Sequence, residues 1–528
     1  MAGRDDGSST DQSGDGRAES DALGSTLSDS VIEGIRWIGT ARIVAEVVAL
    51  GGSIVLARFV SPSEFGRAVV ALGLVAAADA FVTQTLGAPV VRASSPTDRV
   101  LRTAVFLAAC FGLLLAAGLL LLAWLVITPL LGQRTGYFVA LGAPAVVATS
   151  WATVARALIQ RRLSFRTLGL IEVGALVAGT GTAVVLATIA SLEGEALMLG
   201  FVASNAGAAA LALLIAPRFR PRWGGRASAN EILSFGLPAG GEAVLASAFK
   251  SIDYLVLSTR LSPANVGYYW RAFSIAVEYQ QKVGLVMQRV AFPILSRAPN
   301  LHELRRLRLR MMATNAAVLF PLLVTLIVVA PVFVPWLFGD TWEPAVEPTQ
   351  ILSGVGMATA LMTGTPAFLL ALGRPKPLVV YNIGAVAGLA LVAYISAPLG
   401  LVGVAVAVLS FYAVLLLVNH VWLLHGIGGI KISDLCREAA IPLAACVPVA
   451  AVDLAVLELN DRIGSSDLVA LVVTCPLGLV AYALTLRIVF PAAWRTHRGV
   501  FLRVFGLGPR VSLQTTAATT GTPTDPRA

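Results

Sequence analysis

From residue 35 to residue 489 the sequence is a succession of apolar runs separated by short polar breaks. Each run is about 20 residues long, which as an α-helix matches the ~30 Å hydrocarbon core of a bilayer. In that medium every backbone amide needs a partner within its own segment, so the chain has to be helical. Composition points the same way. With 57% hydrophobic and 13% charged residues, a chain of 528 has too little polar side chain to cover a soluble globule. We count fourteen candidate spans: 35–57, 67–86, 104–128, 137–158, 169–190, 195–216, 232–259, 264–289, 311–337, 346–372, 378–396, 400–424, 438–458 and 466–489.

Residues 1–30 are rich in Gly, Ser and Asp and nearly free of apolar side chains, so they are expected to form a disordered tail. They lack the charged start, apolar core and cleavage site of a secretory signal, and the first apolar helix is expected to stay attached. Residues 491–528 read as a second tail, disordered from about Gly508. The net charge of +9 does not mark a nucleic-acid binder, because Lys and Arg lie between the apolar runs and form no dense basic domain. They mark topology instead. Arg161, Arg162 and Arg166, then Arg218, Arg220, Arg222 and Arg226, then Arg305, Arg306, Arg308 and Arg310 fall in alternate loops; the other loops hold only Arg58, Arg67, Arg134, Arg260 and Arg462. The positive-inside rule places both tails in the cytoplasm.

Cys110, Cys436, Cys446 and Cys475 lie in or beside apolar stretches without metal-ligand spacing, so they read as reduced thiols. His420 and His425 are about 140° apart on a helix and share no ligand face. No inter-helix loop has room for a folded catalytic domain, and the sequence has no P-loop, nucleophile elbow or HExxH. The chain therefore reads as a non-enzyme.

One polar phrase occurs twice. LARFVSPSEFG, Leu56–Gly66, returns 201 positions later as LSTRLSPANVG, Leu257–Gly267. Ser61 suits an N-cap, Pro62 the first helical position and Glu64 the residue that reaches back in a capping box. The phrase reads as a tight turn that starts a helix, and its repetition divides the chain into parallel halves. The expected organisation is an N-lobe at 31–216 (helices 1–6), a linker at 217–230, a C-lobe at 231–424 (helices 7–12) and an appended helix pair at 425–490.

Charged side chains inside spans are costly unless they face a cavity or a partner, so each marks a candidate site. At 100° per residue, Glu278, Lys282 and Arg289 fall within about 20° of Arg271, a stripe along helix 8. It reads as the wall of a hydrated cavity or as a Glu278–Lys282 pair flanked by snorkelling arginines. In helix 7, Glu242, Lys250 and Asp253 give either cavity charges or a Lys250–Asp253 pair. In helix 1, Arg42 and Glu46 are four apart and can pair, with Gly51 and Gly52 expected to loosen the helix beyond them. Asp79 is the acid of the second span, suited to a proton, Na⁺ or an interhelical hydrogen bond. Phe235–Pro238 is a candidate bend in helix 7.

LARFVSPSEFGRAVVAL after helix 1, with FGLPAGGEAVLASAFKSIDYLVLSTRLSPANVGYYWRA through helices 7 and 8, resembles the polysaccharide-export flippases of the Wzx type, within the multidrug/oligosaccharidyl-lipid/polysaccharide (MOP) exporter superfamily. The resemblance implies an all-α protein of about fourteen transmembrane helices. It would move an undecaprenyl-pyrophosphate-linked oligosaccharide across a bacterial plasma membrane by alternating access, in contact with membrane lipids and beside polysaccharide polymerase and glycosyltransferases. No cofactor is implied; H⁺, Na⁺ and the membrane potential stand as alternative driving forces. Charge and helix position make Arg42, Lys250, Arg271 and Lys282 the candidates for holding an anionic headgroup, and Glu46, Asp79, Asp253 and Glu278 those for ion coupling or charge pairing. A lipid II flippase, a MATE-type multidrug exporter and a non-transporting scaffold of a polysaccharide-assembly complex stay open as alternatives.

Overall fold

The computed structural model describes residues 44–93, 96–162, 164–216, 219–278, 295, 298–491 and 493–495. Residues 1–30, Arg42, Lys282, Arg289 and the second expected tail apart from residues 491 and 493–495 lie outside them. The described residues are helical, without a strand. In chain order the helices are α1 (44–59), α2 (Pro62–Arg92), α3 (Asp98–Leu131), α4 (Gln133–Arg161), α5 (Phe165–Thr188), α6 (Gly194–Ile215) and α7 (Arg226–Leu257). They continue as α8 (Pro263–Phe273 with the π-helical turn Ser274–Glu278), α9 (Leu301–Phe338), α10 (Asp340–Ala371), α11 (Lys376–Ser396), α12 (Gly400–Val418, extended by Asn419–Ile427), α13 (Ile432–Ile463) and α14 (Asp467–Ile488).

Among the described residues, eleven stretches are long and apolar enough to cross a membrane. One of them, Lys376–Ile427, has 52 residues. At 1.5 Å per residue it would run about 78 Å, far beyond a ~30 Å core. It is divided at Ala397–Leu399, where Gly400 takes φ +76 and lets the chain reverse. The reversal between α3 and α4 is tighter still: Gly132 alone, at φ +91, joins Leu131 to Gln133. The expected count of fourteen depends on the head of α1 and the tail of α8, which the described residues cut short.

Two lobes result. In the N-lobe α2 packs on α4 and α6, α3 on α4, and α5 on α6; in the C-lobe α9 packs on α10, α10 on α12, and α11 on α12. Helices α2 and α8 meet across the lobes, and α7 lies between α2 and α11. Helices α13 and α14 pair and rest on α9. Asp453 holds them there: it is fully buried in α13 and accepts a 2.7 Å hydrogen bond from Thr325 of α9, while Gly478 of α14 passes against its carboxylate. Each helix ends either at a Ser-Pro end, where α1 meets α2 and α7 meets α8, or at an arginine-rich end, where α6 meets α7 and α9 begins.

Candidate functional site

The two Ser-Pro turns face each other. A Cβ on Gly66 would strike the backbone carbonyl of Pro263, and a Cβ on Gly267 that of Pro62. The contact is reciprocal, as a two-fold axis between the repeats requires. The repeated glycine is therefore fixed by close backbone approach between lobes, while Ser and Pro set the turn. The local chemistry differs from the expected capping box. Ser262 caps α8 by accepting from the Asn265 amide at 3.3 Å. Ser61 makes no such bond within α2; its amide and hydroxyl both donate to Glu193, at the head of α6. Glu64 does not reach back either. Its carboxylate takes Arg67 at 2.5 Å and Arg134 at 3.0 Å, because two guanidinium groups outcompete one backbone amide.

Directly beneath the crossed turns lies Arg271, only 1% exposed. Its guanidinium carbon sits 4.5 Å from the ring centres of Phe65 and Phe338, 4.8 Å from Trp342 and 5.5 Å from Trp270. One nitrogen donates to Ser53 Oγ of α1 at 2.6 Å. Aromatic faces attract a desolvated guanidinium by up to ~2 kcal/mol. The cage is built from both lobes: Ser53 and Phe65 come from α1 and α2, the other rings from α8, α9 and α10. Two further bonds cross the same seam. Arg58, at the end of α1, donates to the carbonyls of Trp336 and Leu337 at 2.6 and 3.3 Å, two of the acceptors left over in the last turn of α9. Trp342 Nε1 donates to Ala57 O at 2.7 Å. The Ser-Pro end is latched by glycine contact, a caged cation and helix-end hydrogen bonds together.

The regular stripe expected along α8 is interrupted. The π-helical turn Ser274–Glu278 inserts a residue into the spacing, so Arg271 and Glu278 no longer share a face at 100° per residue. Arg271 is sealed, whereas Glu278 is half-buried, and Lys282 lies outside the described residues. On α7, Lys250 and Asp253 do not pair. Asp253 is 2% exposed and accepts the Tyr269 hydroxyl at 2.8 Å, tying α7 to α8 inside the C-lobe, while Lys250 is exposed. Glu242 is exposed too, near the middle of α7. Pro238 lies inside an unbroken helix. Gly236 and Gly240 beside it press on Thr85 and Phe81 of α2, so these glycines serve packing where the sequence had suggested a bend. Gly52 likewise abuts Thr180 of α5 within an unbroken α1. Asp79 is half-buried on α2, in reach of the Thr149 hydroxyl and the charge of Arg156 on α4. Glu46 is half-buried on α1.

Two buried charges were not singled out from the sequence. Arg308 looked like one more topology arginine, yet it is fully buried, donating to Leu361 O and Thr365 Oγ1 at 3.0 Å each. Asn315, about two turns further along α9 on the same face, donates to Ala360 O at 2.7 Å. These carbonyls close the first part of α10, which breaks at Thr363–Gly364 before resuming at Thr365. Arg308 and Asn315 thus cap a broken helix. The signal was its place in LRRLRLR, level with the leucines rather than with Arg306. Asp453 is one of three acids within the thirteenth apolar run, with Glu438 and Glu458 at its two ends.

Three comparisons bear on this arrangement. Residues 55–347, from the end of α1 to the head of α10, match the family described as "Polysaccharide biosynthesis protein". The lipopolysaccharide biosynthesis protein WzxC of Escherichia coli (strain K12) is 26% identical over 352 residues, covering 66% of this chain and 71% of that one. The teichuronic acid biosynthesis protein TuaB of Bacillus subtilis (strain 168) is 27% identical over 280 residues, covering 51% and 56%. Among solved structures, the lipid II flippase MurJ in an inward closed conformation superposes with a TM-score of 0.67 at 13% identity, over 89% of this chain and 99% of that one, a likeness of fold. The matched segment holds both Ser-Pro turns, Arg271 and the four rings around it, and it spans more than half of the sequence, so the chain belongs to the polysaccharide biosynthesis protein family.

Proposed function

We propose that this chain flips an undecaprenyl-pyrophosphate-linked oligosaccharide across a bacterial plasma membrane by alternating access, with both termini cytoplasmic and the Ser-Pro end facing outward. The observation that carries the reading is the pair of exposed charges on α7, Glu242 and Lys250. A charge turned to lipid at that depth costs several kcal/mol, so a hydrated path between the lobes is the environment that accommodates them. An anionic headgroup with a polar glycan suits such a path, while its tail stays in the bilayer. The latch at the Ser-Pro end then corresponds to a state closed to the outside.

In this reading Lys250, together with Arg42 and Lys282, meets the diphosphate. Arg271 belongs to the latch and meets cargo only when the lobes part. Asp253, with Oδ1 unmatched by any hydrogen bond, is the acid placed to take up a coupling proton; Asp79, Glu46 and Glu278 line or pair along the path. The relatives' names support the cargo class, since one belongs to lipopolysaccharide and one to teichuronic acid biosynthesis. The test is reconstitution into vesicles holding defined lipid-linked glycans. Lys250→Ala is expected to slow translocation at least about tenfold while leaving the chain folded. Unchanged translocation by that variant would refute the path along α7, and transport of lipid II alone would move the cargo to peptidoglycan precursors.

A further inference from the structure

On the opposite side of the N-lobe, away from the seam between lobes, the membrane-facing surface is not flat. Helices α3, α4 and α6 leave two adjoining apolar hollows of about 500 Å³ each, which share Trp151 and Leu213. One extends toward Ala116 and Ala140, the other toward Phe219 at the arginine-rich end. The depth comes from alanines along α4, and the rim from Trp151, which is 55% exposed. Measured on α4 from Ala140 to Ala155, the trough is about 22 Å long at 1.5 Å per residue, more than one ~15 Å leaflet. An ordinary lipid-facing helix surface presents no such channel.

The mouth of the trough is cationic. Arg102 stands one turn before Val105, a lining residue of α3, and Arg220 and Arg222 follow Phe219 directly. None of the three makes an ion pair among the described residues, and Asp98, one turn before Arg102, does not neutralise it. The loop that carries Arg220 and Arg222 is fastened to the head of α3, which carries Arg102: Arg222 N donates to Arg102 O at 3.3 Å, Arg99 Nε to Gly224 O at 2.7 Å and Gly224 N to Thr103 Oγ1 at 3.1 Å, with Trp223 edge-on to Phe106. The backbone that carries the three arginines is therefore fixed beside the apolar channel. That combination of a fixed basic cluster and a chain-width trough at membrane depth is complementary to one class of molecule.

We propose that the trough is a binding site for an anionic phospholipid of the leaflet at the arginine-rich end, one acyl chain lying along α4 past Trp151 and the phosphate held by Arg102, Arg220 and Arg222. A basic side chain near an anionic lipid surface contributes ~1 kcal/mol, so three favour an anionic over a zwitterionic headgroup strongly. The site lies outside the seam between lobes and does not depend on the cargo.

The experiment uses the full chain in vesicles of zwitterionic lipid doped with brominated-chain phosphatidylglycerol or, at the same fraction, brominated-chain phosphatidylcholine. The Trp151 fluorescence component is obtained by subtracting a Trp151→Phe variant. Quenching by the anionic lipid is expected to exceed that by the zwitterionic one at least about twofold. Arg102→Gln/Arg220→Gln/Arg222→Gln is expected to bring the two together, and Ala148→Phe, which fills the trough, to lower both. Equal quenching in the unmodified chain would overturn the proposal, as would an anionic excess that survives the triple substitution. Displacement of the brominated lipid by polyprenyl phosphate would also overturn it, assigning the trough to the cargo's tail.

Discussion

Arg271 and Arg308 are both long cations with almost no exposed surface, at 1% and 0%. Their surroundings assign them different work. Arg271 is held by rings from α2, α8, α9 and α10 and by Ser53 of α1, so its cage exists only while the lobes touch. Arg308 donates to carbonyl and hydroxyl groups of α10 alone, from the neighbouring helix of the same lobe. A cation whose partners come from two bodies reports on their separation. One whose partners come from a single body reports on folding. Burial by itself distinguishes neither, and the partners decide.

The largest expected effect lies on the folding side. Arg308→Ala leaves a cavity and uncaps Leu361 O, at a combined cost of about 3 kcal/mol or more. The melting temperature of the purified chain is expected to fall by several degrees, and equal melting of variant and parent would break the comparison. Next comes Arg271→Ala, which empties the cage and removes ~2 kcal/mol from the contact between lobes, a shift of about 30-fold toward separation. Its signature is local. A cysteine at Ala57, 1% exposed beside the cage, is expected to react much faster with a membrane-impermeant maleimide in Arg271→Ala than in Arg308→Ala, in a chain freed of its native cysteines. Faster reaction in Arg308→Ala instead would exchange the two roles. The smallest effect is that of a single methyl. Gly267→Ala sets a Cβ against Pro62 O, and overpacking of this kind costs about 1 kcal/mol or more, again opening the Ser-Pro end. Gly51→Ala, whose Cβ would meet open space, is the matched control and is expected to leave labelling unchanged.

How much of this the sequence disclosed follows from what each feature depends on. Helices follow from apolar run length and the need to satisfy backbone groups in lipid, so their order was legible, while polar helix ends were not: α9 begins at Leu301, ten residues before the expected 311. The Ser-Pro repeat was legible as a turn and as a mark of two lobes. That its glycines touch was not, because contact between residues 201 apart is set by how lobes pack rather than by local pattern. Helical angles brought Arg271 and Glu278 together on paper, and the π-helical turn between them separated their faces. Nor could spacing tell that Lys250 is exposed while Asp253, three residues on, is sealed by a tyrosine of the next helix. Arg308 was hidden by its company: charge counting groups it with Arg305, Arg306 and Arg310, and only tertiary packing sets it apart.

In the proposed cycle the Ser-Pro ends form a closed latch that opens as cargo crosses. Spin labels at Phe59→Cys and Thr259→Cys, both exposed and one on either side of the crossed turns, measure that opening by pulsed electron resonance in vesicles. Without cargo the labels are expected to give one short, narrow distance. Adding lipid-linked oligosaccharide is expected to bring in a second, longer population, and Arg271→Ala to enlarge it without cargo. A single unchanged distance in vesicles that are actively translocating glycan would contradict the latch.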